Sequence, residues 1–269
     1  MKSGKQSNDA YYTKHEVAAL CYHAIRKYVK IKKHDLIIEP SAGDGSFIPL
    51  IKKLSKNHIF YDIKPKHPDI KKQNFLTIKN KSTLEPHIIG NPPFGNKAAS
   101  AIKFIKKTAS LNAKSISFIL PISFKKNSFK KSFPSNYHMI YQATLPENSF
   151  TYKNKSKNIK TVFQIWTKKP YHRKMPKKLH PVDWYKFVKK PDCNLAIRRV
   201  GFSVGKVKKC SADDNSNTNW FLQLKHPVNI DILNTIKFDK TRNVGAYSVS
   251  KQDIIKKYNR INIWTSTER

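Results

Sequence analysis

Two adjacent prolines, Pro92 and Pro93, close a short apolar run, and this junction restricts what the chain can fold into more than any other. His87-Ile88-Ile89-Gly90 reads as a buried strand, and prolines, which lack an amide proton, forbid ladder pairing beyond it. The junction therefore delivers an Asn amide, a proline carbonyl and an aromatic ring (Asn91, Pro92, Phe94) to the C-terminal end of a strand. In an open α/β sheet, ligands bind at that edge. The set suits a flat ring bearing an amine, with two acceptors for the amine hydrogens and a π-face for the ring.

The surrounding pattern supplies the layers such a strand needs. Thr13-Lys14-His15-Glu16 has the spacing of a capping box. The helix it predicts carries Val17, Leu20, Cys21, Ala24, Ile25 and Tyr28 on one face. Leu36-Ile37-Ile38 reads as a strand, Pro40 to Gly45 as a turn, Phe47 to Leu54 as a helix and His58 to Tyr61 as a second strand. A short strand near Phe75, the strand at 87–90, a helix from Ala98 to Lys107 and a strand from Ser115 to Leu120 follow. Strands alternating with helices imply right-handed βαβ crossovers and a mostly parallel sheet. Tyr137–Ala143 and Val162–Trp166 have no helix between them, which predicts an antiparallel hairpin at one edge. The expected fold class is thus α/β.

The composition shifts after Trp166. Residues 151–190 hold thirteen Lys/Arg and a single Asp, punctuated by Pro170, Pro176 and Pro181. The expected organisation is a disordered 1–10, a main α/β domain over 11–168, a basic linker over 169–181 and a small α+β region over 182–269. That last region offers a strand at Ala196–Val200 and helices near 228–236 and 250–258.

The 269 residues carry 53 Lys+Arg against 17 Asp+Glu, a net charge of +36. A field of that size favours a polyanionic partner, and nucleic acid is the commonest. Cys21, Cys193 and Cys210 are scattered and form no C-x-x-C pair, so neither a metal site nor a disulfide framework is expected. With no secretory pattern and no apolar run approaching a membrane span, the chain reads as intracellular and not secreted, with no membrane partner.

Glu39-Pro40-Ser41-Ala42-Gly43-Asp44-Gly45-Ser46-Phe47 lies between strand and helix. Its acidic residues argue against a phosphate cradle, and no G-K-[ST] is present. An acidic, glycine-bearing loop suits a ligand with an ammonium group and a sulfonium. Some twenty residues on, Asp62 ends the second strand, where a carboxylate can accept hydrogen bonds from a ribose diol.

With these motifs in order, the chain resembles the S-adenosylmethionine-dependent methyltransferases that carry Asn-Pro-Pro-[Phe/Tyr], and is most similar to N6-adenine DNA methyltransferases of the γ motif order. The resemblance covers roughly residues 11–168. It implies a Rossmann-like class I methyltransferase sheet, S-adenosylmethionine as cofactor, and a C-terminal target-recognition region. Tyr11, Tyr12 and Thr13 match the element over the cofactor's methionine part. Glu39, Pro40, Ser41, Ala42, Gly43, Asp44, Gly45 and Phe47 match the cofactor loop, Asp62 and Ile63 the ribose-binding position, and Asn91, Pro92, Pro93 and Phe94 the catalytic tetrad. Where the family usually has an Asp for the adenine amine of the cofactor, this chain has Asn74-Phe75, which implies a hydrogen bond without charge assistance.

The resemblance implies methyl transfer to the exocyclic N6 amine of adenine in DNA, with the base flipped out of the duplex, as in restriction-modification enzymes. Phe150 or Tyr152 can supply a second stacking face, or can simply pack at a hinge. Lys153 and Lys155, in a lysine run, can hold flanking phosphates, and Arg198 and Arg199 can read bases. Alternative readings are an RNA adenine methyltransferase, an enzyme for another amine (cytosine N4, guanine N2 or a protein glutamine), and a retired methyltransferase fold that only binds nucleic acid.

Overall fold

The computed structural model describes residues 11–79, 84–153, 155–175, 177–239 and 247–261. Residues 1–10, expected to be disordered, lie outside the described residues. The chain divides into two compact units, the first ending at Met175.

The first unit opens with β1 (Tyr12–Thr13) and α1 (His15–Tyr28). Val17, Cys21, Ala24 and Ile25 of α1 are buried on one face. The predicted stripe is too wide, however: Leu20 is 51% exposed and Tyr28 stacks on Tyr141 near the surface. The expected capping box does not form. Lys14 is the N-cap, with no side-chain cap. Thr13 pairs with Phe150 as a strand residue, so its hydroxyl sits one residue too early to cap and is used elsewhere.

Then come β2 (Ile37–Glu39), α2 (Ile48–Leu54), β3 (His58–Asp62), β4 (Ile70–Lys72), β5 (His87–Gly90), α3 (Ala99–Ser110), β6 (Ser115–Pro121), α4 (Asn127–Lys130), β7 (Tyr137–Thr144), β8 (Phe150–Tyr152), β9 (Lys155–Lys157) and β10 (Thr161–Lys168). Seven of these strands form one sheet in the order β4-β3-β2-β5-β6-β10-β7. The first five are parallel, and β10 runs antiparallel between β6 and β7. This is the expected Rossmann-like class I methyltransferase sheet. The edge hairpin forms, and its connection folds back as a separate three-stranded sheet, β1-β8-β9.

Period-two alternation explains why the central strands read as unbroken apolar runs. Ile38, Ile88, Phe118 and Leu120 pack on one face with Phe104 and Ile105 of α3. Ile37, Ile89 and Ile119 pack on the other with Cys21 and Ile25 of α1 and Ile51 of α2. Each strand therefore feeds two cores. The short strand expected near Phe75 forms a few residues earlier, as β4, and Phe75 itself opens a single 3-10 turn, Phe75–Thr77. Asn74 bends the chain there by accepting the Leu76 amide at 3.0 Å.

The sheet order reverses beside β2, which has β3 on one side and β5 on the other. A crevice at the C-terminal ends of such strands is where open α/β sheets take their ligands. Glu39 ends β2, and Asn91 follows β5.

The second unit holds β11 (Tyr185–Phe187), β12 (Leu195–Arg198), β13 (Val207–Lys209), β14 (Asn219–Leu224), α5 (Ile230–Asn234) and α6 (Lys251–Tyr258). Its antiparallel sheet, ordered β11-β14-β12-β13, packs Leu195, Ile197 and Leu222 with Trp184, Leu233, Ile254 and Tyr258. Ser250 and Asp253 cap α6 reciprocally. The expectation that the cysteines pair with nothing is overturned. Cys193 and Cys210 form a disulfide, because antiparallel pairing of Leu195 with Lys209 brings their backbones to a Cα separation of 6.1 Å. Sequence spacing alone does not reveal such a pair.

The first unit extends past the predicted edge at residue 168. Arg173 donates to the carbonyls of Lys130, Phe133 and Tyr137 and lies over the Trp166 ring at 5.2 Å. That guanidinium fixes residues 169–175 to the first unit.

Candidate active site

Gly90 ends β5 with a φ of +151°, a region that favours glycine. A Cβ there would lie 3.2 Å from Glu39 Cγ, so glycine also lets the Glu39 side chain pass close by. Beyond it, Asn91 is held at two points. Its Nδ2 donates to Thr13 Oγ1 at 3.2 Å. Its backbone carbonyl accepts from Ser41 Oγ at 3.1 Å. Its Oδ1 is buried and has no hydrogen-bond partner in the structure. The contact with Thr13 therefore fixes the amide with its nitrogen satisfied and its oxygen left over. A buried acceptor without a donor costs about 1–3 kcal/mol, a cost that a ligand N–H would relieve.

Pro92 is buried and Pro93 exposed, as a strand-ending pair should be. Phe94 is half-buried against the α1–α2 face of the sheet. Its carbonyl accepts from the Ser100 and Ala101 amides at 3.1 and 3.3 Å, which ties the loop to the first turn of α3. Between them the backbone is strained: Lys97 and Ala98 have φ values of +49° and +62°.

The loop after β2 is organised around Asp62. One carboxylate oxygen accepts the Gly43 amide at 2.9 Å and the other the Lys64 amide at 2.8 Å. Each oxygen keeps a further lone pair, so the group can still accept from a diol. Ala42 donates to the Tyr61 carbonyl, and Gly43 accepts from Lys66. The Tyr12 ring lies 3.1 Å from where a Gly43 Cβ would be, so only glycine, at φ +57°, admits that ring. Lys66 lies over the Tyr12 ring at 4.5 Å. Asp44 is exposed and accepts from Ser46 Oγ at 2.7 Å. Ala42 and Phe47 are core residues that anchor the loop.

Glu39 is 2% exposed and its Oε2 has no partner. Burial, with Asp44 and Asp62 adding repulsion, holds its carboxyl well above the ordinary carboxylate range. An orphaned buried acid beside a second carboxylate fits a cationic ligand group, as the ammonium of S-adenosylmethionine would be.

The fold thus gathers Thr13, Glu39, Ser41, Gly43, Asp62 and Asn91 at one sheet edge. Tyr11 makes a tilted contact with Tyr152 at 5.5 Å, and Ile63 is exposed after Asp62. Two expectations need correction. Phe150 is fully buried in the core and offers no face to a base. Phe75 is likewise core, stacked on Phe104 at 5.7 Å. Asn74 is exposed and its side-chain oxygen accepts the Leu76 amide, which leaves a further lone pair on that oxygen for a ligand donor. Tyr152, Lys153 and Lys155 stay on the β8–β9 hairpin, with Lys153 and Lys157 ammonium groups 5.5 and 5.9 Å from the Tyr152 ring centre. Arg198 and Arg199 belong to the second unit. Two roles were missed. Lys66 carried no signal beyond general basicity, and the Thr13–Asn91 contact spans 78 residues and exists only once the fold is formed.

The model for the EDM2 methyltransferase-like domain matches residues 30–176, more than half of the chain. The protein belongs to that family. The match begins inside the first unit and ends beside Met175, so β1 and α1 precede it. No curated protein sequence matches this EDM2 methyltransferase-like chain. Among solved structures it is similar to a candidate RNA methyltransferase from Pyrococcus horikoshii (TM-score 0.48, 15% identity, 63% of this chain and 93% of that one). A candidate class I S-adenosylmethionine-dependent methyltransferase from Listeria monocytogenes gives a TM-score of 0.45 at 17% identity, covering 66% of each chain. A type I restriction-modification methyltransferase subunit from Streptococcus thermophilus gives 0.42 at 13% identity, with 60% and 46% covered.

Proposed function

We propose that this protein transfers a methyl group from S-adenosylmethionine to the exocyclic N6 amine of adenine in DNA. The observation that carries the reading is the buried, partnerless Oδ1 of Asn91, at the end of β5 and beside the Asp62-centred loop. When bound, S-adenosylmethionine supplies an electrophilic methyl group on a sulfonium. Glu39, Gly43 and Asp62 are the residues that would hold it.

The chain's own work is placement. An adenine N6 is a poor nucleophile because its lone pair is delocalised into the ring. Asn91 Oδ1 and the Pro92 carbonyl each accept one amine hydrogen, which favours pyramidal nitrogen and frees the lone pair. Phe94 offers its exposed ring surface to the base. As the nitrogen gains the methyl group it loses one proton, which passes to water. Tyr152 supplies the second aromatic surface now that Phe150 is excluded, and Lys153, Lys155 and Lys157 bind phosphates beside it. Base flipping brings a paired adenine to this edge.

The test is methyl transfer to matched duplex DNA and RNA, with nucleosides from the product identified by mass spectrometry. N6-methyl-2′-deoxyadenosine is expected. Activity confined to RNA, or a methyl group on another amine, would overturn the DNA adenine reading.

A further inference from the structure

The second unit carries an aromatic feature that the methyl-transfer reading leaves unused. Phe202 is 89% exposed, the most exposed large apolar side chain among the described residues. It sits in the turn between β12 and β13, and that turn is pinned on both sides. Arg198 exchanges backbone hydrogen bonds with Lys206 and Gly205 across it, at 2.9 and 2.8 Å. Gly201 donates to the Tyr247 carbonyl at 2.8 Å, Val200 bridges to Ser248, and the Val249 amide donates to the Arg199 carbonyl at 2.9 Å. Val204, two residues on, packs on the core of the unit. The tip is therefore held out on ordered backbone, which lowers the entropic cost of placing a ring against a ligand. Burying so exposed a ring is favourable wherever a partner supplies a flat surface.

The chemistry around the tip identifies that surface. Residues 198–209 contain Arg198, Arg199, Lys206, Lys208 and Lys209 and no acidic residue. Tyr247 meets Phe202 edge-on with centroids 6.2 Å apart. Beside the turn, Arg199 lies over the Trp220 ring at 3.9 Å, and Lys251 lies 4.8 and 5.1 Å from the Phe187 and Trp220 ring centres. The Trp220 indole nitrogen donates to the Val249 carbonyl at 2.9 Å, so this cationic ledge and the turn share one scaffold. A projecting ring with cations on both flanks matches a nucleic-acid strand that exposes a base: phosphates for the cations and a π-face for the ring. A fully stacked duplex offers the phosphates but no open base face.

We infer that the second unit binds unpaired nucleotides, with Phe202 as the stacking residue and Arg198 and Lys206 as flanking phosphate contacts. The inference rests on the nucleic-acid reading of this chain but not on methyl transfer, so binding by the full chain is the readout.

Fluorescence anisotropy with labelled single-stranded DNA, single-stranded RNA and blunt duplex DNA tests it. Phe202→Ala should weaken binding to a single strand about tenfold, within the range for loss of one base stack. Its duplex affinity should stay within about twofold and its salt slope unchanged, since no charge is removed. Phe202→Trp should retain or exceed wild-type affinity. Replacing Arg198 and Lys206 with Ala should instead flatten the salt slope on every ligand. The DNA and RNA arms show which polymer supplies the strand. Phe202→Ala binding single strands as tightly as wild type overturns the inference and leaves the methyltransferase reading standing. Wild-type protein binding none of the three overturns both.

Discussion

At the level of single residues, the proposed chemistry turns on how an amide is oriented. Thr13 Oγ1 holds Asn91 Nδ2, so the opposite face of the amide is left as an acceptor. Thr13→Val removes that partner while conserving shape. Its kcat should fall roughly five- to tenfold, about the worth of one hydrogen bond, with the cofactor Kd little changed. Thr13→Ser should restore the rate, and a Val variant as fast as wild type would mean that the amide is positioned by something else. Asp62→Ala should act differently. Both its oxygens hold loop amides, so cofactor affinity should fall, as isothermal titration would show. Motif order made Asn91, Asp62 and the glycine loop legible because each is a short stretch whose chemistry is local. Phe75 and Phe150 were misread for the opposite reason. Whether an aromatic faces a ligand or a core depends on how the chain packs around it.

Among the elements, the segment from β5 to α3 links the sheet to the site. It passes through two non-glycine residues in the left-handed region, and exposed Lys97, at φ +49°, loses no packing when changed. Lys97→Gly should raise unfolding free energy by about 0.5–1 kcal/mol, as relief of the left-handed conformation outweighs glycine's entropy. Urea denaturation checks this, and a destabilised variant would place the strain elsewhere. The strands themselves were readable from apolar runs because parallel strands bury both faces. The three-stranded β1-β8-β9 sheet was not. Its strands are two or three residues long, and β9 is Lys155-Ser156-Lys157, whose composition carries no strand signal.

Across the whole molecule, charge and pH act on the fold and its partner together. The run of lysines on the β8–β9 hairpin should contribute to polyanion binding. Replacing Lys153, Lys155 and Lys157 with Ala should flatten the plot of log K against log salt by up to about 0.9 per lost phosphate contact, and an unchanged slope would remove them from the interface. At the opposite end of the sheet, His87 is buried at the start of β5, with Nδ1 2.7 Å from Ser115 Oγ and Nε2 3.5 Å from Asp35. Burial pushes its imidazole below the ordinary value, outweighing the pull of Asp35, and Lys114 adds to the depression. The unfolded chain therefore binds the proton more readily. Stability should be full above about pH 6.5, the unfolded imidazole value, and should fall as pH drops below it. Thermal melts at pH 7.5 and 5.5 should show the loss, and His87→Gln should reduce it. The net charge of +36 points to a nucleic-acid partner from composition alone. A summed charge has no direction, however, so it is silent on which strand is bound and by which face.

The reading stands or falls on whether Asn91 Oδ1 receives the N6 amine of adenine. Single-turnover methyl transfer by Asn91→Ala, measured alongside its affinity for S-adenosylhomocysteine, decides it. At least a ~100-fold loss of transfer is expected, of the size found when one preorganised site group is removed, with cofactor-product affinity preserved. Transfer at the wild-type rate, or loss of affinity in step with loss of transfer, would contradict that role for the amide.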